Sequence, residues 1–264
     1  MGVGYYYTFK RRVHFARVNI NICFPDLSEE EKEVLVKDCF IQAGMWFMEA
    51  GAVWLWPREK MLGYVREVNP ELLESVIDKN HGVILAIPHL GNWEIIAPLI
   101  TSRHQFACFY LHDEKVPLIS QYIYQQRSRN GTLLAPAGPK GIRILYKHLK
   151  AGNVAGLLPD HIPSADMGVF APFFNRDALT GTLISSLAKK NNAAVLSAVI
   201  VRTDSGFDVH YDHVENQHSD DPVLAAKSIN AAIEKAIAIA PSQFQWVYPR
   251  FKKRRDPNTQ SPYR

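Results

Sequence analysis

Apolar and polar positions fall into two regimes along this chain. Beyond residue 80, short runs of nearly unbroken apolar residues alternate with stretches in which apolar positions recur every three or four residues. The runs Gly82–Pro88, Phe106–Leu111, Asn153–Pro159 and Ala193–Val201 predict strands buried on both faces, with a shorter extended piece at Thr132–Pro136. Between them the spacing predicts helices over 91–102, 117–129, 140–150, 181–191 and 221–239. Gly206–Asp212 pairs with the preceding strand across the turn Asp204-Ser205-Gly206. Strands and helices in this alternation predict an α/β fold with a mostly parallel central sheet flanked by helices.

Ahead of residue 80 the pattern is helical. Ser28 followed by Glu31 is a capping-box start, and Val34, Leu35, Cys39, Phe40, Ala43 and Phe47 follow at helical spacing, so residues 29 to about 55 read as one helix. Asn69-Pro70 opens another over 70–79 by a cap and a first-turn proline. With no internal repeat and no long linker, residues 1–264 read as one domain: a helical, aromatic-rich lead-in over 1–80, an α/β body over 81–249, and a basic tail over 250–264.

Composition narrows the classes. An apolar content of 47% in 264 residues supports a sizeable core and excludes a disordered chain. Cys23, Cys39 and Cys108 have no metal-site spacing, and their odd number argues against a disulfide framework and for a reducing compartment. The opening residues lack the apolar core of a secretory signal. The longest near-apolar run, Ala43 to Trp56, is interrupted by Glu49 and falls short of the roughly 20 residues of a membrane span. Its Trp46, Phe47, Trp54 and Trp56 suit a core or a membrane interface. The formal charge of +4 is uneven: residues 1–20 carry +4 and residues 250–264 carry +5, leaving −5 on the body. Two basic ends suggest an anionic partner.

The chemistry concentrates after the first predicted strand of the body, in Pro88-His89-Leu90-Gly91-Asn92-Trp93-Glu94. Reactive groups in open α/β sheets collect at the carboxyl ends of strands. His89 sits at such an end. Glu94, five residues on, is expected to point back and accept the imidazole Nδ1–H, leaving Nε2 free to take a proton from a hydroxyl. No Ser or Cys nucleophile adjoins the pair, so direct group transfer to a substrate hydroxyl is expected rather than a covalent enzyme intermediate.

This segment resembles the His-x4-Asp/Glu signature of the glycerolipid-type acyltransferases, and in its full form the late acyltransferases of lipid A biosynthesis. Further blocks are similar in the same order: Asn19-Ile20-Asn21-Ile22-Cys23-Phe24-Pro25, Pro159-Asp160-His161, Val169-Phe170-Ala171-Pro172-Phe173-Phe174 with Ala178-Leu179-Thr180, and Gln243-Phe244-Gln245-Trp246 with Arg250-Phe251-Lys252. The resemblance spans about residues 10 to 256. It implies His89 as general base with Glu94 as its orienting partner. It implies substrate-side roles for Arg127 and Arg129, one of which binds a phosphate or steadies an oxyanion. Asp160 would position substrate or tie down the His89 loop, and Asn92 would shape the loop between strand and helix.

The resemblance also implies a donor thioester on acyl carrier protein, an acidic protein, and a lipid A precursor as acceptor. No metal or nucleotide cofactor is implied. The expected location is the cytoplasmic face of the bacterial inner membrane. Relatives usually carry a transmembrane helix ahead of the Asn19–Pro25 block, where this chain has about twenty residues, so either the anchor is missing or attachment is peripheral through basic and aromatic surface.

Three other readings compete. An acyltransferase of the same superfamily could act on another glycolipid or phospholipid with the same catalytic residues. A metal-dependent hydrolase could use His89, Glu94 and His210 or His213, but neither His-Glu-x-x-His nor paired Cys-x-x-Cys occurs. A nucleic-acid binder could use Arg250–Arg255 with Trp246 and Phe251, against an acidic body and no recognition motif.

Overall fold

The computed structural model describes residues 2–77, 81–111, 115–174, 176–256 and 258–264. In chain order the lead-in forms α1 (Gly2–Thr8), α2 (Lys10–Cys23), α3 (Glu29–Leu55), α4 (Arg58–Leu62), β1 (Val65–Glu67) and α5 (Pro70–Ile77). The body continues with β2 (Val83–Ala86), α6 (Ile96–Ile100), β3 (Phe106–Tyr110), α7 (Pro117–Ser128), β4 (Leu133–Pro136), α8 (Pro139–Lys150) and β5 (Val154–Leu157). Then come β6 (Gly168–Phe173), β7 (Arg176–Gly181), α9 (Leu183–Asn191), β8 (Ala194–Arg202), β9 (Phe207–His213) and α10 (Pro222–Ile239).

Seven strands form the main sheet in the order β1-β9-β8-β2-β5-β3-β4. β8, β2, β5, β3 and β4 run parallel, while β9 is antiparallel to β8 and carries β1 parallel to itself at the edge. This is the mostly parallel α/β sheet that the apolar runs predict. Every residue of β2 and β5 is buried, which is why neither strand shows period-two alternation. One core lies under α2, α3, α8, α9 and α10; a second packs α5 and α6 against the other face.

The capping box at the head of α3 is present, with Glu31 N–H donating to Ser28 Oγ at 3.2 Å and Ser28 N–H donating to Glu31 Oε2 at 2.8 Å. Three features depart from the sequence expectation. The helix expected over 91–102 is a 3-10 turn at Trp93–Ile95 followed by the short α6. β6 and β7 pair antiparallel, with β6 against α10, so the helix expected from residue 181 begins only at Leu183. The sheet also reaches back into the lead-in through β1. Of the helix expected over 70–79, residues 78 and 79 lie outside the described residues. No helix of the described residues is long and apolar enough to cross a membrane.

Candidate active site

Strand register brings the site together. β2 and β5 are hydrogen-bonded neighbours with Ala86 opposite Leu157, and Ile87 N–H continues the ladder to Leu157 O at 2.9 Å. Three residues past each partner stand His89 and Asp160, side by side at the carboxyl ends of adjacent central strands. Asp160 Oδ1 lies 2.8 Å from His89 Nδ1, and Asp160 Oδ2 accepts the His89 backbone N–H at 2.9 Å. One carboxylate thus fixes both the ring and its backbone, and a ring that donates from Nδ1 keeps Nε2 as the free base. Asp160 is 2% exposed. Burial pushes its carboxyl up, but the His89 charge and hydrogen bonds outweigh that and hold it down at about 2.

The carboxylate on His89 Nδ1 is therefore Asp160, and the expected reach of Glu94 back to that nitrogen is not the arrangement found. Glu94 is held by other groups. Arg127 grips it with two hydrogen bonds, one of 2.9 Å from Nε to Oε2, and Trp54 Nε1–H donates to Oε2 at 3.2 Å. The 3-10 turn after Asn92 causes this, because it carries Glu94 toward α3 and α7. Arg127 is largely buried; that disfavours its charge, yet Glu94 more than compensates and holds its pKa above the usual value.

Arg129 is exposed and donates to Trp56 O, joining the end of α7 to the chain after α3. Asn92, fully buried, donates to Glu49 Oε2 at 3.3 Å. Glu49 in turn pairs with Arg202 at the end of β8. Asn92 is thus a tie between α3 and the strand ends. Gly91 makes that approach possible: its φ is +58°, and a Cβ there would lie 1.7 Å from Ile200 O.

Two aromatic rings pack on the His89 ring, and a third backs one of them. His161 stacks on it with centroids 4.1 Å apart and planes 5° apart, and Tyr248 stacks behind His161 at 3.9 Å and 11°. Trp93 meets His89 edge-on at 4.8 Å and 70°, and itself stacks on Trp46 of α3. His161 Nε2 lies 3.0 Å from Gln245 Oε1, while Gln245 N–H donates to His89 O at 3.0 Å. Sequence reasoning placed His161 only inside a similar block and gave it no role. His89, Asp160 and His161 offer ligand atoms within 4.8 Å of one another. However, two imidazoles in nearly parallel planes cannot direct in-plane lone pairs at one ion, so the trio fits a hydrogen-bonded base better than a chelate.

His89 lies in the wall of a mostly apolar cavity of about 520 Å³ lined also by Tyr5, Phe9, Trp46, Phe47, Trp93 and Phe244. A second cavity of about 730 Å³, lined by Phe109, Ile142, Leu158, Ile162 and Met167 among others, touches His161. Phe9 and Phe47 line the first and are exposed, so the aromatic run after residue 43 divides between packing and surface. The basic tail divides too. Arg250 is 3% exposed and donates to Leu179 O, Thr180 Oγ1 and Asn230 Oδ1, and Trp246 and Phe251 are buried. Of the side chains that a nucleic-acid reading uses, Arg250, Trp246 and Phe251 are therefore inside the protein, while Lys252, Lys253 and Arg255 stay exposed.

A family model described as "Bacterial lipid A biosynthesis acyltransferase" matches residues 1–253. The lipid A biosynthesis lauroyltransferase of Escherichia coli (strain K12) is 28% identical over 249 residues, 93% of this chain and 80% of that protein. The lipid A biosynthesis palmitoleoyltransferase of the same organism is 29% identical over 251 residues, again 93% of this chain and 80% of the relative. Its myristoyltransferase is 25% identical over 253 residues, 94% and 77%. A strand-end histidine with a buried carboxylate partner, opening on an apolar cavity, is thus found in a chain that belongs to the bacterial lipid A biosynthesis acyltransferase family.

Proposed function

We propose that this acyltransferase moves a fatty acyl chain from an acyl carrier protein thioester to a hydroxyl of a lipid A precursor, with His89 as general base. The observation that carries the reading is the Asp160–His89 pair at adjoining strand ends beside an apolar cavity. The acceptor O–H gives its proton to His89 Nε2 as its oxygen attacks the thioester carbonyl. The tetrahedral intermediate collapses with cleavage of the C–S bond, and the imidazolium returns the proton to the departing thiolate. Ester and free thiol are the products, and no acyl-enzyme forms. Asp160 keeps the Nδ1–H tautomer and balances the imidazolium charge, a role the sequence reading gave to Glu94. Glu94 serves the site through Arg127, whose guanidinium it holds beside the helix that carries Trp54. Arg129 and Arg127 remain the proposed contacts for anionic substrate groups.

Exposed Phe9 and Phe47 line the first cavity, and Phe9 directly precedes the basic start of α2, Lys10-Arg11-Arg12, a combination suited to an anionic lipid surface. We assign this rim to the cytoplasmic face of the inner membrane, where a lipid acceptor can enter without leaving the bilayer. The test is incubation of the purified protein with acyl carrier protein thioester and tetra-acylated lipid A precursor, read by mass spectrometry. The expected result is gain of one acyl group, lost in His89→Ala. No gain on this precursor with gain on another lipid would move the acceptor assignment. Undiminished transfer by His89→Ala would remove the base.

A further inference from the structure

We infer that His161 is a positioning residue for His89: its ring, held between His89 and Tyr248, fixes the plane of the base and backs the imidazolium that forms during transfer. The inference rests on the reading of His89 as the base. The Asp160 hydrogen bond anchors one edge of the His89 ring, but the torsion about the ring bond of histidine is broad, so a single in-plane contact leaves Nε2 free to swing. A face-on stack at 4.1 Å and 5° removes that freedom, and Trp93 closes on the ring edge-on. A displacement of about 1 Å at a reacting atom can cost on the order of 100-fold in rate, so holding this torsion matters for turnover.

The stack is itself anchored. His161 Nε2–H donates to Gln245 Oε1 at 3.0 Å, which fixes its tautomer, and the Tyr248 ring blocks its far face at 3.9 Å. Tyr248 in turn accepts the Ile162 N–H on its hydroxyl at 3.0 Å, and its carbonyl accepts from Asn19 Nδ2 at 2.7 Å. His161 must also stay neutral, because two imidazolium rings in face contact would repel. Burial, and then the charge of His89, both lower its pKa, and only His89 has a carboxylate hydrogen-bonded to its ring nitrogen. The carboxylate thus stands on the ring that takes the proton in the proposed transfer, and the ring beneath it presents a π face to that charge.

Steady-state transfer should be measured for His161→Leu, which has similar bulk and no flat face, and for His161→Gln, whose planar amide can stack and still donate to Gln245. A folded His161→Leu is expected to lose about 10- to 100-fold in kcat with both KM values within about twofold of wild type, while His161→Gln keeps kcat within about threefold. Leu at wild-type kcat, or folded Gln falling as far as Leu, overturns the inference. If the Leu variant does not fold, His161→Phe replaces it: a flat ring should keep at least about a tenth of kcat, and a lower value in folded protein overturns the inference. His89→Ala is run beside these. Its inactivity with an unaffected Leu variant rejects only the role of His161, whereas its activity rejects the base underneath.

Discussion

Replacing Asp160 by Asn separates the two carboxylates of the site. The wild-type side chain accepts twice, from the His89 backbone N–H at 2.9 Å and, on its other oxygen, from Nδ1 at 2.8 Å. An Asn of the same shape has only one accepting end. If its oxygen keeps the backbone N–H, its NH2 faces Nδ1 and drives the proton to Nε2, the tautomer that cannot act as base. If it turns over, two N–H donors face each other at the backbone, at a cost of about 1–3 kcal/mol for the unmet group. Loss of the correct tautomer in a comparable His–carboxylate system lowers kcat by about 10⁴, and a fall of 10³ or more is expected here with little change in KM. The substitution also has an acid signature. A carboxyl held at about 2 against the usual 3.8 stabilises the fold above pH 4, and this is lost as pH falls through 4 toward 2. The whole contribution is about 2 kcal/mol near neutral pH, of which about 1 kcal/mol is lost between pH 6 and pH 3, and that loss should be missing from Asp160→Asn when urea midpoints are compared at the two pH values. An Asn variant within tenfold of wild-type kcat would refute the assignment of Asp160 as the orienting group.

Glu94→Gln strips Arg127 of its counter-charge but leaves a hydrogen-bonding partner, so kcat is expected to fall about 10- to 100-fold, less than in Asp160→Asn. The reverse order in the same kinetic assay would return the orienting role to Glu94. Gly91→Ala must move a backbone that would place Cβ 1.7 Å from Ile200 O at a φ of +58°, and urea titration should show a loss of at least about 2 kcal/mol. Arg250→Met takes the guanidinium donors from Leu179 O, Thr180 Oγ1 and Asn230 Oδ1, leaving Thr180 and Asn230 their bonds to each other, and should cost about 3 kcal/mol by the same method, while binding to anionic vesicles stays unchanged because Arg250 is inside the protein.

Much of this architecture was legible because it is local. Unbroken apolar runs marked β2 and β5, and Ser28 with Glu31 marked the head of α3 within a residue. The helix α2 was legible in principle, since Val13, Ala16, Ile20 and Cys23 form a buried stripe at helical spacing, but its four cations drew the reading toward charge. The β6–β7 hairpin was hidden by Pro172 and by the absence of a turn dipeptide. His89 could be found because it directly follows its strand. Asp160 was named as a residue that could tie down the His89 loop, which its Oδ2 does, but its contact with the ring was not legible, because 71 positions separate the two and only the adjacency of β2 and β5 joins them. Glu94, nearer in sequence, was the natural choice until the 3-10 turn carried it away.

Residues 243–248 finish what the strands begin. Gly91 N–H donates to Gln243 O, Phe244 bridges Leu90, Gln245 binds both His89 and His161, and Tyr248 closes the stack. Cutting the chain near residue 243 would therefore leave every strand of the sheet in one piece while taking away Gln245 and Tyr248, which flank the two histidine rings, and the buried Trp246 and Phe251 with them.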